Sequence, residues 1–152
     1  MDAPRQKLSL YFGVRVEITF NICHTVHMAI DLTDFSAFQR LALFDLLILA
    51  MYADGHLTNV KDEQLQQLLA AMGHAEENDR QREFDAAVTR MRPAVQSIWK
   101  AKEQAISLAD AFTVRSQQKQ VFAAVEKIMT FDQHVSTWEN TLLMELRMKF
   151  RL

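Results

Sequence analysis

The sequence is poor in the residues that break helices and in those that build thiol-based sites. Its 152 residues include only 3 Gly, 2 Pro and 1 Cys. The single cysteine, Cys23, excludes an intramolecular disulfide framework and a cysteine-based zinc site, and it fits a reducing cytoplasm. So few glycines disfavour a phosphate-cradling loop, and the sequence has no nucleophile elbow, dinucleotide fingerprint or His-Glu-x-x-His motif. We therefore expect a cytoplasmic protein that is not an enzyme.

Strong charge of one sign and long apolar runs are absent too. The formal net charge is −2, which gives no electrostatic basis for nucleic-acid binding. The best apolar stretch, residues 41–53, contains Asp45 and is shorter than the about 20 residues that cross a bilayer. Arg15 and Glu17 interrupt the apolar N-terminal segment. We therefore expect neither a signal peptide nor a transmembrane segment.

Apolar residues at helical spacing dominate the chain from about residue 35 onward. They predict six helices, over about 35–53, 60–72, 79–91, 93–109 with a break near Ser107, 116–131 and 137–150. The predicted N-terminal caps are Thr33 or Asp34, Thr58 or Asn59, Ser116, and a capping box at Ser136 and Glu139. Gly73 is the predicted C-terminal cap of the second helix. This pattern predicts an all-α bundle over residues 34–152.

Residues 8–22 follow a different pattern, in which every even position from Leu8 to Ile22 is apolar and the positions between are mostly polar. A period of two is typical of β-structure and not of a helix. We expect extended structure here, as one long strand or as two strands joined by a turn. Residues 1–33 therefore form an N-terminal extended segment, separate in pattern from the bundle.

A short pattern occurs twice, 78 positions apart. Residues 53–58 read Ala-Asp-Gly-His-Leu-Thr, and residues 131–136 read Phe-Asp-Gln-His-Val-Ser. The same offset pairs further apolar residues: Phe44 with Phe122, Met51 with Met129, Leu65 with Leu143, and Leu68 with Leu146. The repeat predicts that the bundle contains two related helix–loop–helix units.

The motif Ala-Asp-Gly-x-apolar-Ser/Thr, followed by Glu near a helix start, resembles the TerB-like tellurite-resistance family over roughly residues 35–150. Residues 53–58 match it, although Lys61 stands where the family has Glu. The second copy keeps Asp132, Val135, Ser136 and Glu139, with Phe131 and Gln133 in place of Ala and Gly. The resemblance implies a helical bundle, a role in bacterial stress responses, acidic clusters proposed to bind metal ions, and use as an interaction module.

Two acidic loops at one end of a bundle would bring carboxylates together, and these repel one another unless a cation or a basic side chain neutralises them. Oxygen ligands favour Ca²⁺, Mg²⁺ or Mn²⁺, whereas inward-facing histidines would favour Zn²⁺ or Ni²⁺. The candidate ligands of one divalent cation are Asp54, Asp62, Glu63, Asp132, Glu139, His56 and His134.

Two alternatives to a cation site remain open. Loop aspartates commonly cap their own turns, and the capping box alone explains Glu139. The protein would then be a metal-free adaptor whose partners are other proteins or a second copy, with a homodimer formed through the N-terminal segment. A hydrolase that uses paired carboxylates is a third interpretation, but the sequence indicates no pocket for it.

Overall fold

The computed structural model describes residues 15–16, 30–53, 59–130 and 136–152, and for 15–16 and 59–61 only the backbone. The elements are β1 (Arg15–Val16), β2 (Ile30–Asp31), α1 (Ala37–Tyr52), α2 (Asn59–Ala71), α3 (Glu77–Met91), a 3-10 turn (Ala94–Gln96), α4 (Ile98–Ala109), α5 (Arg115–Thr130) and α6 (Thr137–Phe150). The prediction of an all-α bundle is confirmed. None of the helices in these ranges is long and apolar enough to cross a membrane.

Helix α1 forms the centre of the bundle. Its residues 42–51 are all buried, including the charged Asp45. Such a helix is apolar on every side, so it needs neighbours all round. Helices α3, α4 and α5 pack directly on it, and α6 packs on α4 and α5. The core therefore surrounds α1, with the paired strands β1 and β2 beside α5.

The first helix begins later than predicted. Ser36, and not Thr33 or Asp34, caps α1: its Oγ accepts from the backbone N–H of Gln39 at 3.1 Å, and Gln39 Oε1 accepts from Ser36 N–H at 3.0 Å. Thr33 is unavailable, because its backbone N–H and hydroxyl both donate to the Asp31 carboxylate, at 3.0 and 2.6 Å. Short polar side chains here can each hydrogen-bond to nearby backbone N–H groups, and the capping box of Ser36 and Gln39 determines where the helix begins.

Two other predicted boundaries are wrong. The helix expected from Pro93 onward is interrupted at Ser97, whose Oγ accepts from Lys100 N–H at 3.2 Å and caps α4, while Ser107 lies within α4. Ser116 is not a cap, because α5 already begins at Arg115. Ser97 and Ser107 both stand within the apolar pattern of residues 93–109, and the pattern alone does not choose between them.

Two predicted helix ends are confirmed. Gly73 follows α2 with a φ of +109°, a left-handed conformation that favours glycine, and the next N–H, of His74, donates to the Leu69 carbonyl at 3.1 Å. Ser136 and Glu139 form the predicted capping box of α6, with Glu139 Oε2 accepting from Ser136 N–H at 2.9 Å.

The helices repeat with the offset of the sequence motif. Ala37 and Arg115, the first residues of α1 and α5, are 78 positions apart, as are the first residues of α2 and α6. Gln39 and Gln117 occupy equivalent positions in α1 and α5, and Gln39 Nε2 donates to Gln117 Oε1 at 3.0 Å. The prediction of two related helix–loop–helix units therefore agrees with where these four helices begin.

The N-terminal prediction is met at two positions. Arg15–Val16 is a strand and pairs antiparallel with Ile30–Asp31. Asp31 N–H also donates to Gln120 Oε1 of α5 at 3.0 Å, and Ile30 is buried in the core. The other positions of residues 8–22 lie outside the described residues, so their alternating faces stay a prediction.

Candidate functional site

The two central helices of the repeat run in the same direction. Near their starts, Gln39 of α1 bonds Gln117 of α5. Near their ends, Ala50 of α1 and Met129 of α5 line one small interior space. Because both ends of α1 lie beside the corresponding ends of α5, the C-terminal ends of the two helices lie at the same end of the bundle.

Both acidic loops therefore leave from one end of the molecule. Asp54 comes two residues after α1, and Asp132 comes two residues after α5. Asp54, His56, Asp132 and His134 themselves lie outside the described residues, and their positions as ligands stay a prediction.

The candidates that follow the loops reach the same end of the bundle. Leu142 of α6 lines the same interior space as Ala50 and Met129, so the start of α6, with Glu139, lies near the ends of α1 and α5. The end of α2 packs near the first half of α1, where Leu69 and Leu41 line a common groove. Helix α2 is thus antiparallel to α1, and its first turn also faces this end.

The three described candidates differ in environment. Glu139 is fully buried, and one of its carboxylate oxygens holds the capping box of α6. Asp62 is half-buried in the first turn of α2, where a carboxylate complements the helix dipole, and Glu63 beside it is exposed. Within the ranges that the structure describes, no three His, Cys, Asp or Glu side chains are grouped to hold a metal ion. Asp62, Glu63 and Glu139 alone therefore do not make a cation site.

Sequence reasoning missed an ion network between α1 and α3. Arg90 Nη2 donates to Asp45 Oδ1 at 2.8 Å, Arg90 Nε donates to Asp45 Oδ2 at 3.0 Å, and Arg90 Nη2 also donates to Glu83 Oε1 at 3.0 Å. Burial raises the pKa of Asp45 above its ordinary value, and the hydrogen bond and charge of Arg90 lower it by less. An acid inside an apolar helix indicates a basic partner, but nothing in the sequence identifies Arg90, 45 positions away.

An open groove of about 280 Å³ lies between α1, α2 and α3. Phe44 and Leu69 form part of its wall, and Arg40, His74 and Glu83 supply its polar groups. Glu83 is engaged by Arg90, and Arg40 donates to the Leu32 carbonyl at 3.0 Å. Among the described residues that line this groove, none is a serine, threonine or cysteine that could act as a nucleophile.

No family model matches the sequence, and neither a curated protein nor a solved structure matches it. The resemblance to the TerB-like family therefore rests on residues 53–58 and 131–136 and on the offset that they share.

Proposed function

We propose that this protein is a non-enzymatic, TerB-like module of the cytoplasmic stress response that holds one divalent cation between its two acidic loops. The observation that carries the proposal is the parallel packing of α1 and α5. Because the described ends of α1 and α5 lie at one end of the bundle, loops that continue from them would bring Asp54 and Asp132 together there. The first turns of α2 and α6 face that end as well.

The proposed mechanism is electrostatic. Carboxylates that approach each other repel, and at 4 Å two unit charges interact by about 1 kcal/mol in water and about 4 kcal/mol near a protein surface. A divalent cation reverses the sign of this interaction. Asp54 and Asp132, with Asp62 or Glu63, would supply oxygen ligands of the kind that Ca²⁺, Mg²⁺ and Mn²⁺ prefer. Inward rotation of His56 or His134 would favour Zn²⁺ or Ni²⁺.

The capping box would couple cation binding at the loops to helix α6. Ser136 follows the second loop directly, and its bonds with Glu139 fix the loop end to α6. A cation that clamps the two loops would therefore also restrain the start of α6. The ordered end of the bundle would then present a surface for another protein or for a second copy of this chain.

The experiment is a thermal unfolding series with Ca²⁺, Mg²⁺, Mn²⁺, Zn²⁺ and Ni²⁺ on the full chain. Binding at about 100 times the dissociation constant stabilises the fold by about 2.7 kcal/mol, which is several degrees of melting temperature for a domain of this size. The double substitution Asp54→Asn and Asp132→Asn should abolish this shift. The matched control is Asp79→Asn with Asp85→Asn, which changes the net charge equally on α3.

The proposal fails if no ion of the series raises the melting temperature, or if the control double variant loses the shift as fully as the loop variant. The metal-free adaptor then becomes the better account. Its own test is the mass in solution, because removal of the N-terminal extended segment should dissociate a homodimer that forms through it.

A further inference from the structure

A polar cleft lies where the C-terminal ends of α4 and α6 meet the start of α5. Its volume is about 450 Å³, within the range of pockets that hold small molecules. Its charged and polar lining residues are Asp110, Thr113, Arg115, Gln118, Lys149 and Arg151. The cleft is separate from the acidic loops, because α5 ends at the loop end of the bundle and begins here.

The cleft carries an excess of positive charge. Lys149 pairs with Asp110, the one acidic side chain among the described residues of the lining. Arg115 donates to the backbone carbonyls of Phe150 and Arg151, which carry the partial negative charge of the end of α6 but no full charge. No carboxylate in the described part of the chain pairs with Arg115 or Arg151. Two guanidinium groups therefore have no carboxylate side chain as a counter-ion here, in a chain whose formal net charge is −2.

Hydrogen bonds hold the main chain around the cleft and the side chain of Arg115. The two carbonyl bonds of Arg115 fix its guanidinium against the last turn of α6. Arg151 ends α6 in a left-handed conformation, with φ of 54° and ψ of 47°. Its N–H donates to the Met148 carbonyl at 3.2 Å, which holds this turn in place. The backbone of both arginines is thus anchored, so an anion need not order the main chain in order to bind.

We propose that this cleft binds a phosphate dianion, either as inorganic phosphate or as the phosphate group of a small monoester. Two guanidinium groups match a double negative charge, and their planar donors suit phosphate oxygens. The hydroxyl of Thr113 and the side-chain amide of Gln118 supply neutral polar groups in the same lining. The volume beyond a bare ion leaves room for the organic part of an ester.

The test is calorimetric titration of the full chain with inorganic phosphate and with glycerol phosphate, at constant ionic strength, with glycerol as the uncharged comparison. Arg151→Asn removes one charge while asparagine tolerates the left-handed backbone. It should weaken phosphate binding about tenfold, since a hydrogen bond to a charged group contributes about 1.5 kcal/mol or more. Lys127→Asn is the matched control. It removes one charge about 18 Å along α5 from Arg115, so it should leave the affinity unchanged.

A second variant moves the affinity the other way. Asp110→Asn releases Lys149 and removes the one negative charge of the cleft, so phosphate binding should tighten about threefold. A tighter complex with glycerol phosphate than with inorganic phosphate would identify an ester as the ligand, and the reverse order would identify the free ion. The proposal is overturned if neither titrant binds saturably, if Arg151→Asn and Lys127→Asn act alike, or if Asp110→Asn weakens binding. None of these outcomes depends on a cation at the acidic loops.

Discussion

At the scale of single residues, Asp45 stands out because it is a carboxylate inside the most buried helix. Its side chain is 7% exposed, and that of its partner Arg90 is 36% exposed. The bidentate bond offsets part of the cost of taking the carboxylate out of water, and that cost is large when the charge has no partner. The pair therefore sets how α1 and α3 pack, and it adds less net stability than its hydrogen bonds suggest.

Loss of Arg90 alone should be costly. Arg90→Met leaves Asp45 buried without its partner and should lower the free energy of unfolding by about 2 kcal/mol, less than the about 3–5 kcal/mol of a fully buried pair because Arg90 is partly exposed. Asp45→Leu combined with Arg90→Met should recover much of that loss. Urea unfolding measures both. Arg82→Met, which breaks the surface pair with Asp79, is the control and should cost under about 1 kcal/mol.

The raised pKa of Asp45 also predicts how stability depends on pH. The folded chain binds this proton more tightly than the unfolded chain, so Asp45 contributes most to stability below its ordinary pKa of 3.8. That contribution falls as the pH rises through the raised pKa of the folded state. The measurement is the free energy of unfolding of the native chain and of Asp45→Asn from pH 3.5 to 7. The value for the native chain minus that for the variant should fall as the pH rises. A difference that grows with pH would show that Arg90 outweighs burial.

At the scale of elements, the capping boxes decide where helices begin. Helix α1 uses Ser36 with Gln39, and α6 uses Ser136 with Glu139. Each box satisfies backbone N–H groups that the helix itself leaves without partners. The box at α6 was predictable, because its serine, its glutamate and the apolar run stand in the expected order. The box at α1 was missed, because Thr33 and Asp34 offered equally good caps and only the Asp31 turn excludes Thr33.

Loss of the α6 cap should be measurable as stability. Ser136→Ala should lower the free energy of unfolding by about 1 kcal/mol, because the N–H of Glu139 loses its acceptor. Glu139→Gln should cost less, since α1 already forms the same box with glutamine. Chemical denaturation of each variant checks this, with Ser107→Ala, at an exposed position in the last turn of α4, as a control that should change little. Equal effects of Ser136→Ala and Ser107→Ala would contradict the cap.

At the scale of the whole molecule, the sequence predicted the fold class and the repeat, and it predicted less of the site. Apolar periodicity and the 78-residue offset were enough for the helices, because the repeated pattern is local and the offset is visible in the chain. The Asp45–Arg90 bond and the basic cleft were not predictable, because each joins residues from separate helices. The common direction of α1 and α5 also depends on the tertiary structure, and it gives the cation proposal its geometric support.

The contact between Gln39 and Gln117 has a further meaning for the history of the chain. Each glutamine is the counterpart of the other in the repeat, and Gln117 Nε2 also donates back to Gln39 Oε1 at 3.3 Å. A reciprocal bond between equivalent residues is what a two-fold symmetric dimer forms at its axis. Here one chain supplies both partners, so a substitution of either glutamine removes the reciprocal bond and leaves the other with its bonds to neighbouring backbone groups. A substitution of Gln39 or Gln117 therefore affects both halves of the repeat at once.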